Sequence, residues 1–80
     1  MKLPRDISGP ALAKALARLG YEVTHQSGSH LRLTSHKGGE HHLTIPRHRR
    51  LKVGTLAAIL RDVADHARMS REELLERLFG

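Results

Sequence analysis

Between Tyr21 and Ile45 the hydrophobic period of this 80-residue chain becomes two, and that change limits the folds open to it more than any single motif. Three short segments alternate. Tyr21 and Val23 are the apolar residues of 21–25, Leu31 and Leu33 those of 30–34, and Leu43 and Ile45 those of 41–45. Each reads as a half-buried antiparallel strand with an aliphatic face and a polar one. Residues opposite one another across a ladder share a face, so the alternation also predicts pairing. Val23 opposite Leu31 and Tyr21 opposite Leu33 leave a loop of Gln26, Ser27 and Gly28, with Gly28 in the left-handed position such a loop requires. The same register sets Thr24 against His30 and Glu22 against Arg32. Leu33 opposite Leu43 and Leu31 opposite Ile45 place Arg32 against Thr44 and His30 beside Pro46. The polar face then carries Glu22, Thr24, His30, Arg32, Thr34, His42 and Thr44. Pro46 ends the third strand and suits a sheet edge.

Helical patterns flank these strands. After an extended lead over Met1 to Asp6, Ser8 is an N-cap, with Ile7 and Leu12 at the ends of a hydrophobic staple and Pro10 tolerated in the first turn. Leu12, Leu16 and Leu19 form the apolar stripe, and Gly20 closes a helix over Gly9 to Leu19. A second helix opens at Gly54-Thr55 with Leu56, Ile59, Leu60 and Val63 on one stripe. Ser70 with Glu73 is a capping box for a short third helix, stapled by Met69 and Leu74, whose apolar side is Leu74, Leu75, Leu78 and Phe79. That helix either folds back on the domain or presents a surface to a partner. The pattern predicts one α+β domain spanning 1–80, ordered α-β-β-β-α with a short extra C-terminal helix.

Composition narrows the partners. The net charge is +6, and residues 1–60 hold ten Lys/Arg against three Asp/Glu, whereas residues 61–80 hold four against five. A positive field of this kind suits a polyanion, most simply a nucleic acid bound in a salt-sensitive way. The run Arg47-His48-Arg49-Arg50-Leu51-Lys52 directly precedes the second helix, joining cations to free backbone N–H groups in a phosphate-binding arrangement. With no cysteine there is neither a disulfide nor a thiolate metal site. No apolar run approaches a membrane span or a signal peptide, which places the chain in the cytoplasm.

Several chemistries fit poorly. Among the seven histidines, His36, His41 and His42 lie close in sequence, but strand neighbours His41 and His42 point to opposite faces, so no metal site or cofactor is expected. Between residues 7 and 61 only Glu22 and Glu40 are acidic, too few for two-metal nuclease chemistry. A Ser-His-Asp hydrolase is disfavoured because Ser29 and His30, taken as strand neighbours, diverge, and no acidic residue stands ready to orient the imidazole. RNA cleavage survives this pruning. The 2′-hydroxyl is its nucleophile, a histidine can move the proton, and Arg or Lys can offset the phosphorane charge. DNA lacks that hydroxyl.

The order of a helix, Gly20-Tyr21, Gln26-Ser27-Gly28-Ser29-His30, a turn with Gly38-Gly39, Thr44-Ile45-Pro46-Arg47-His48, Lys52-Val53-Gly54-Thr55-Leu56 and Ile59-Leu60 resembles the HicA (YcfA-like) toxins of type II toxin–antitoxin modules, from about Ser8 to Leu75. The resemblance implies a fold like a double-stranded-RNA-binding domain, with both helices on one sheet face. It implies a ribosome-independent, metal-independent mRNA interferase whose catalytic histidine is that of the Gly-Ser-His motif, His30. It further implies a HicB antitoxin that covers the site, with DNA met only through the toxin–antitoxin complex. Gly28 carries over as the turn residue and Ser29 as a positioning group. His48 matches a Pro-x-His pattern and joins the site because the register brings Pro46 beside His30. Arg32, Arg47, Arg49, Arg50, Lys52 and Thr55 are the candidate RNA-binding residues. The alternative function is a non-catalytic RNA-binding module with the same fold. The segment after Val63, with Asp65-His66-Ala67-Arg68 before Ser70, departs from the shorter loop expected of the family.

Overall fold

A computed structural model describes residues 2–80; Met1, the start of the predicted lead, lies outside the described residues. The chain runs α1 (Gly9–Leu16), a 3-10 turn (Ala17–Leu19), β1 (Glu22–Gln26), β2 (His30–Ser35), β3 (His41–Pro46), α2 (Val53–Ala67) and α3 (Arg71–Phe79). The α-β-β-β-α order with an added C-terminal helix is the one the sequence pattern predicts. Ser8 caps α1 by accepting from the Ala11 N–H at 3.1 Å. The capping box of Ser70 and Glu73 starts α3. Helix α1 gives way to a 3-10 turn after Leu16, and Gly20 ends it at φ 88. Helix α2 continues past Val63 to Ala67 and is closed by Arg68 in the left-handed region, φ 56.

The sheet has the order β1-β2-β3, so β3 with its Pro46 is an edge. Between β2 and β3 the predicted register holds: Leu31 pairs with Ile45, Arg32 with Thr44, Leu33 with Leu43 and His30 with Pro46. Between β1 and β2 it does not. Val23 pairs with Leu33 rather than Leu31, and Glu22 faces Thr34 rather than Arg32. A bulge between Val23 and His25 then sets His25 against Arg32 and Gln26 against Leu31. The slip has a physical cause. It carries Tyr21 toward the Ser35–His41 end of the sheet, where its buried hydroxyl meets His41 Nδ1 at 2.6 Å; in the predicted register that hydroxyl would sit level with Leu33, against hydrocarbon.

Leu31, Leu33, Leu43 and Ile45 form the aliphatic sheet face, covered by Leu12 and Leu16 of α1 and Leu56, Ile59, Leu60 and Val63 of α2. Helix α3 folds back on this core, burying Leu74, Leu75 and Leu78. Of the sheet's opposite face, only Thr34 is deeply buried. Its hydroxyl lies 3.0 Å from Thr24 Oγ1 and 2.9 Å from His42 Nδ1. The stretch after β3 is stitched to the start of α1. Gly9 N–H donates to the His48 carbonyl at 2.9 Å and Leu51 N–H to that of Ile7 at 2.8 Å. Gly9 has no alternative here, since a Cβ would run into the Pro46 carbonyl oxygen. Among the described residues no helix is long and apolar enough to cross a membrane.

Candidate active site

The β1–β2 turn is built by a serine rather than by glycine. Ser27 N–H donates to the His30 carbonyl at 2.9 Å, and Ser27 Oγ accepts from the His30 N–H at 3.0 Å and the Ser29 N–H at 3.4 Å. The hydroxyl thus takes the place that the Ser27 carbonyl would occupy in a closed two-residue hairpin. That carbonyl is free to accept from the Arg47 guanidinium at 3.1 Å, and Arg47 N–H donates to the Ser29 carbonyl at 2.8 Å. With the turn held this way Gly28 has no need of the left-handed region. Its φ is not positive, and a Cβ on it would meet open space, which corrects the predicted role.

His30 opens β2, exposed, beside Pro46 at the end of β3. Ser29 Oγ lies 2.9 Å from His30 Nδ1. The divergence predicted for these neighbours fails because Ser29 lies in the turn, outside the strand whose alternation would have separated the two side chains. One ring nitrogen is therefore engaged and oriented, leaving Nε2 with no hydrogen-bond partner among the described residues.

The predicted cations divide by what they touch. Arg47 clamps the turn. Arg50 Nε pairs with Asp6 Oδ1 at 2.9 Å on an exposed surface, so part of its charge is met within the chain. Arg49 and Lys52 are exposed, and Lys52 stands at the N-cap of α2 with no side-chain cap for the first helical N–H groups. Thr55 is half-buried in that first turn. Arg32 is exposed on the open face, paired with Thr44 and His25. His48 contributes its carbonyl to Gly9, and its side chain is exposed. The site thus joins the turn, the end of β3 and the 47–52 run at one end of the sheet.

A second polar group escaped the sequence reading. Tyr21 Oη donates to His41 Nδ1, His41 Nε2 donates to Asp62 Oδ1 at 3.1 Å, and the His41 ring stacks on His66 at 4.3 Å. Burial pushes the Tyr21 phenol up to about 12, with the Asp62 carboxylate adding to the shift. The signal was present in strand parity: His41 shares its face with Leu43 and Ile45, so it had to meet α2. On the other face His42 hydrogen-bonds Glu40 at 3.0 Å and holds its carboxyl below the usual range, helped by the nearby His36. Among the described residues no three His, Asp or Glu side chains gather where they could hold a metal ion.

The α-β-β-β-α order is the one that the resemblance to HicA toxins implies, and the sequence comparison agrees. The family model described as HicA toxin of bacterial toxin-antitoxin matches residues 9–64, and this chain belongs to the HicA toxin family. No curated protein and no solved structure is significantly similar to it.

Proposed function

We propose that this chain is the toxin of a HicAB-type module and cleaves mRNA without a metal ion or the ribosome, with His30 as its catalytic residue. The observation supporting this most directly is the setting of His30: an exposed imidazole with Nδ1 engaged by Ser29, on a turn clamped by Arg47, in a chain of this family.

In the reaction the 2′-hydroxyl attacks the adjacent phosphorus and the bond to the 5′-oxygen breaks. One proton leaves the attacking oxygen and one reaches the departing oxygen, giving a 2′,3′-cyclic phosphate and a 5′-hydroxyl. With Nδ1–H donating to Ser29 Oγ, Nε2 carries the lone pair of a base when the ring is neutral and the proton of an acid when the ring is protonated. Arg32, Arg49 and Lys52 contribute charge against the phosphates and the phosphorane. A HicB-type antitoxin neutralises the toxin by covering this surface, and DNA is engaged only through that complex. The working compartment is the cytoplasm, where mRNA is translated.

The test is cleavage of RNA by the purified chain in chelator, beside His30→Ala. Loss of the histidine should lower the rate by about 10²- to 10⁴-fold, the usual worth of a positioned acid or base. Equal cleavage by both chains overturns the catalytic assignment. Binding without cleavage by both identifies a non-catalytic RNA-binding module.

A further inference from the structure

At the end of the sheet away from His30 lies an open cleft of about 450 Å³ whose lining includes Arg18, Lys37, His66, Arg68 and Arg77 and no carboxylate. Five residue steps of β2 separate His30 from Ser35 at the cleft, roughly 17 Å at strand rise. Three of these side chains, those of His66, Arg68 and Arg77, come from beyond the family match, which ends at residue 64. The C-terminal quarter, net acidic by composition, turns two of its arginines into it.

Cations gather ordinarily at helix C-termini, and the ends of the α1–3-10 segment, α2 and α3 all lie near Arg18, His66 or Arg77. Arg18 is partly used in this way, donating to the Arg77 and Leu78 carbonyls at 3.4 and 3.3 Å. The magnitudes do not balance, however. Three helix ends bring roughly −1.5 elementary charges between them, less than half of what Arg18, Lys37, Arg68 and Arg77 supply. Two further details favour an oxyanion. Ser35, only 1% exposed, accepts from the Lys37 N–H at 3.2 Å, leaving its hydroxyl hydrogen for an incoming acceptor. The Lys37 stem lies over Gly20, where a Cβ would stand 3.0 Å from its Cδ, which confines the ammonium to this side of the fold.

We propose that this cleft binds phosphate, and that its ligand is a backbone phosphodiester of the same RNA that reaches His30. The RNA assignment rests on the proposed function; the phosphate chemistry does not. A span of roughly 17 Å corresponds to a few nucleotides of a single strand. The cleft then sets a minimum substrate length and holds the strand on the side away from the reacting bond.

The experiment uses the full chain carrying His30→Ala, with and without Lys37→Gln and Arg68→Asn. Both changes remove charge without touching the Arg18 clasp, and Asn accepts the left-handed backbone of position 68. Inorganic phosphate should shift the Ser35 and Lys37 amide resonances saturably in the parent and not in the doubly altered chain. For an oligoribonucleotide of about twelve nucleotides, the double change should lower the slope of log K against log salt by about 1.4, two single-strand contacts. Saturable phosphate binding with an unaltered RNA slope overturns the RNA assignment and leaves a site for free phosphate or a phosphomonoester. No saturable shift with phosphate overturns the cleft itself. Failure of the parent to bind RNA at all strikes the proposed function, while the phosphate titration still decides on the cleft separately.

Discussion

Ser29 Oγ and Nδ1 of the adjacent His30 lie 2.9 Å apart, a contact between sequence neighbours that exists because one belongs to the turn and the other to the strand. Ser29→Ala removes the group that orients the ring without removing the ring. A single neutral hydrogen bond is worth about 0.5 to 1.5 kcal/mol, so the rate of RNA cleavage should fall about three- to tenfold while RNA affinity is unchanged. Single-turnover kinetics beside equilibrium binding separates the two. A loss as large as that of His30→Ala would make Ser29 a reacting group rather than a positioning one.

Arg49 and Arg50 are adjacent but not equivalent. Arg50 is paired with Asp6 and Arg49 has no acidic partner among the described residues. Arg49→Ala or Lys52→Ala should weaken RNA binding without sequence bias and flatten the salt slope by about 0.7, one single-strand contact, with a smaller change for Arg50→Ala. Titrations at several salt concentrations check this; equal slopes for the parent and Arg49→Ala take that residue out of the interface.

Tyr21 has a phenol raised from 10.0 to about 12 by burial and by Asp62. Because the folded-state value lies above the unfolded one, the protonated phenol contributes stability that is fully present below pH 10 and lost as pH rises through about 12. The expected loss is of order 2 kcal/mol across that window. Denaturant midpoints measured against pH should show the decline in the native chain and a flatter profile in Tyr21→Phe. A parallel decline in both would assign it to other groups, the lysines first.

Helix α3 is part of the core rather than an appendage. Leu75 is fully buried, so Leu75→Ala should cost about 2 to 5 kcal/mol, read from equilibrium unfolding. A cost below about 1 kcal/mol would show that the helix docks loosely.

Much of this architecture could be read from the residues because local signals agreed with one another. Ser8, Ser70 and Glu73 cap as serine and glutamate ordinarily do, and Leu31, Leu33, Leu43 and Ile45 admit one pairing that keeps all four on the same face. The segment 21–25 offered only Tyr21 and Val23, and two apolar residues two apart satisfy registers that differ by two equally well. The tie was broken by the demand of the Tyr21 hydroxyl for His41, a contact across the sheet that alternation does not encode. Gly28 misleads in another way: glycine commonly marks a left-handed turn position, whereas here the Ser27 hydroxyl supplies what the backbone would have had to supply. At the site, His30 and the neighbouring cations were visible in sequence. The use of Arg47 as a clamp and of Asp6 against Arg50 follows from the path of residues 47–52 across the start of α1, which no local pattern specifies.

The close approach of Gly9 to the Pro46 carbonyl, with the bond from its N–H to His48, ties the first turn of α1 to the strand end that borders His30. Fraying of that turn withdraws support from both Pro46 and the stretch that clamps the histidine's turn. In a nascent or locally unfolded chain that arrangement is therefore missing: the end of the sheet that carries His30 assembles only when residues preceding and following the strands in sequence have come together. For a toxin of a toxin–antitoxin family, that coupling delays potency until folding is complete, leaving an interval in which an antitoxin can be at hand.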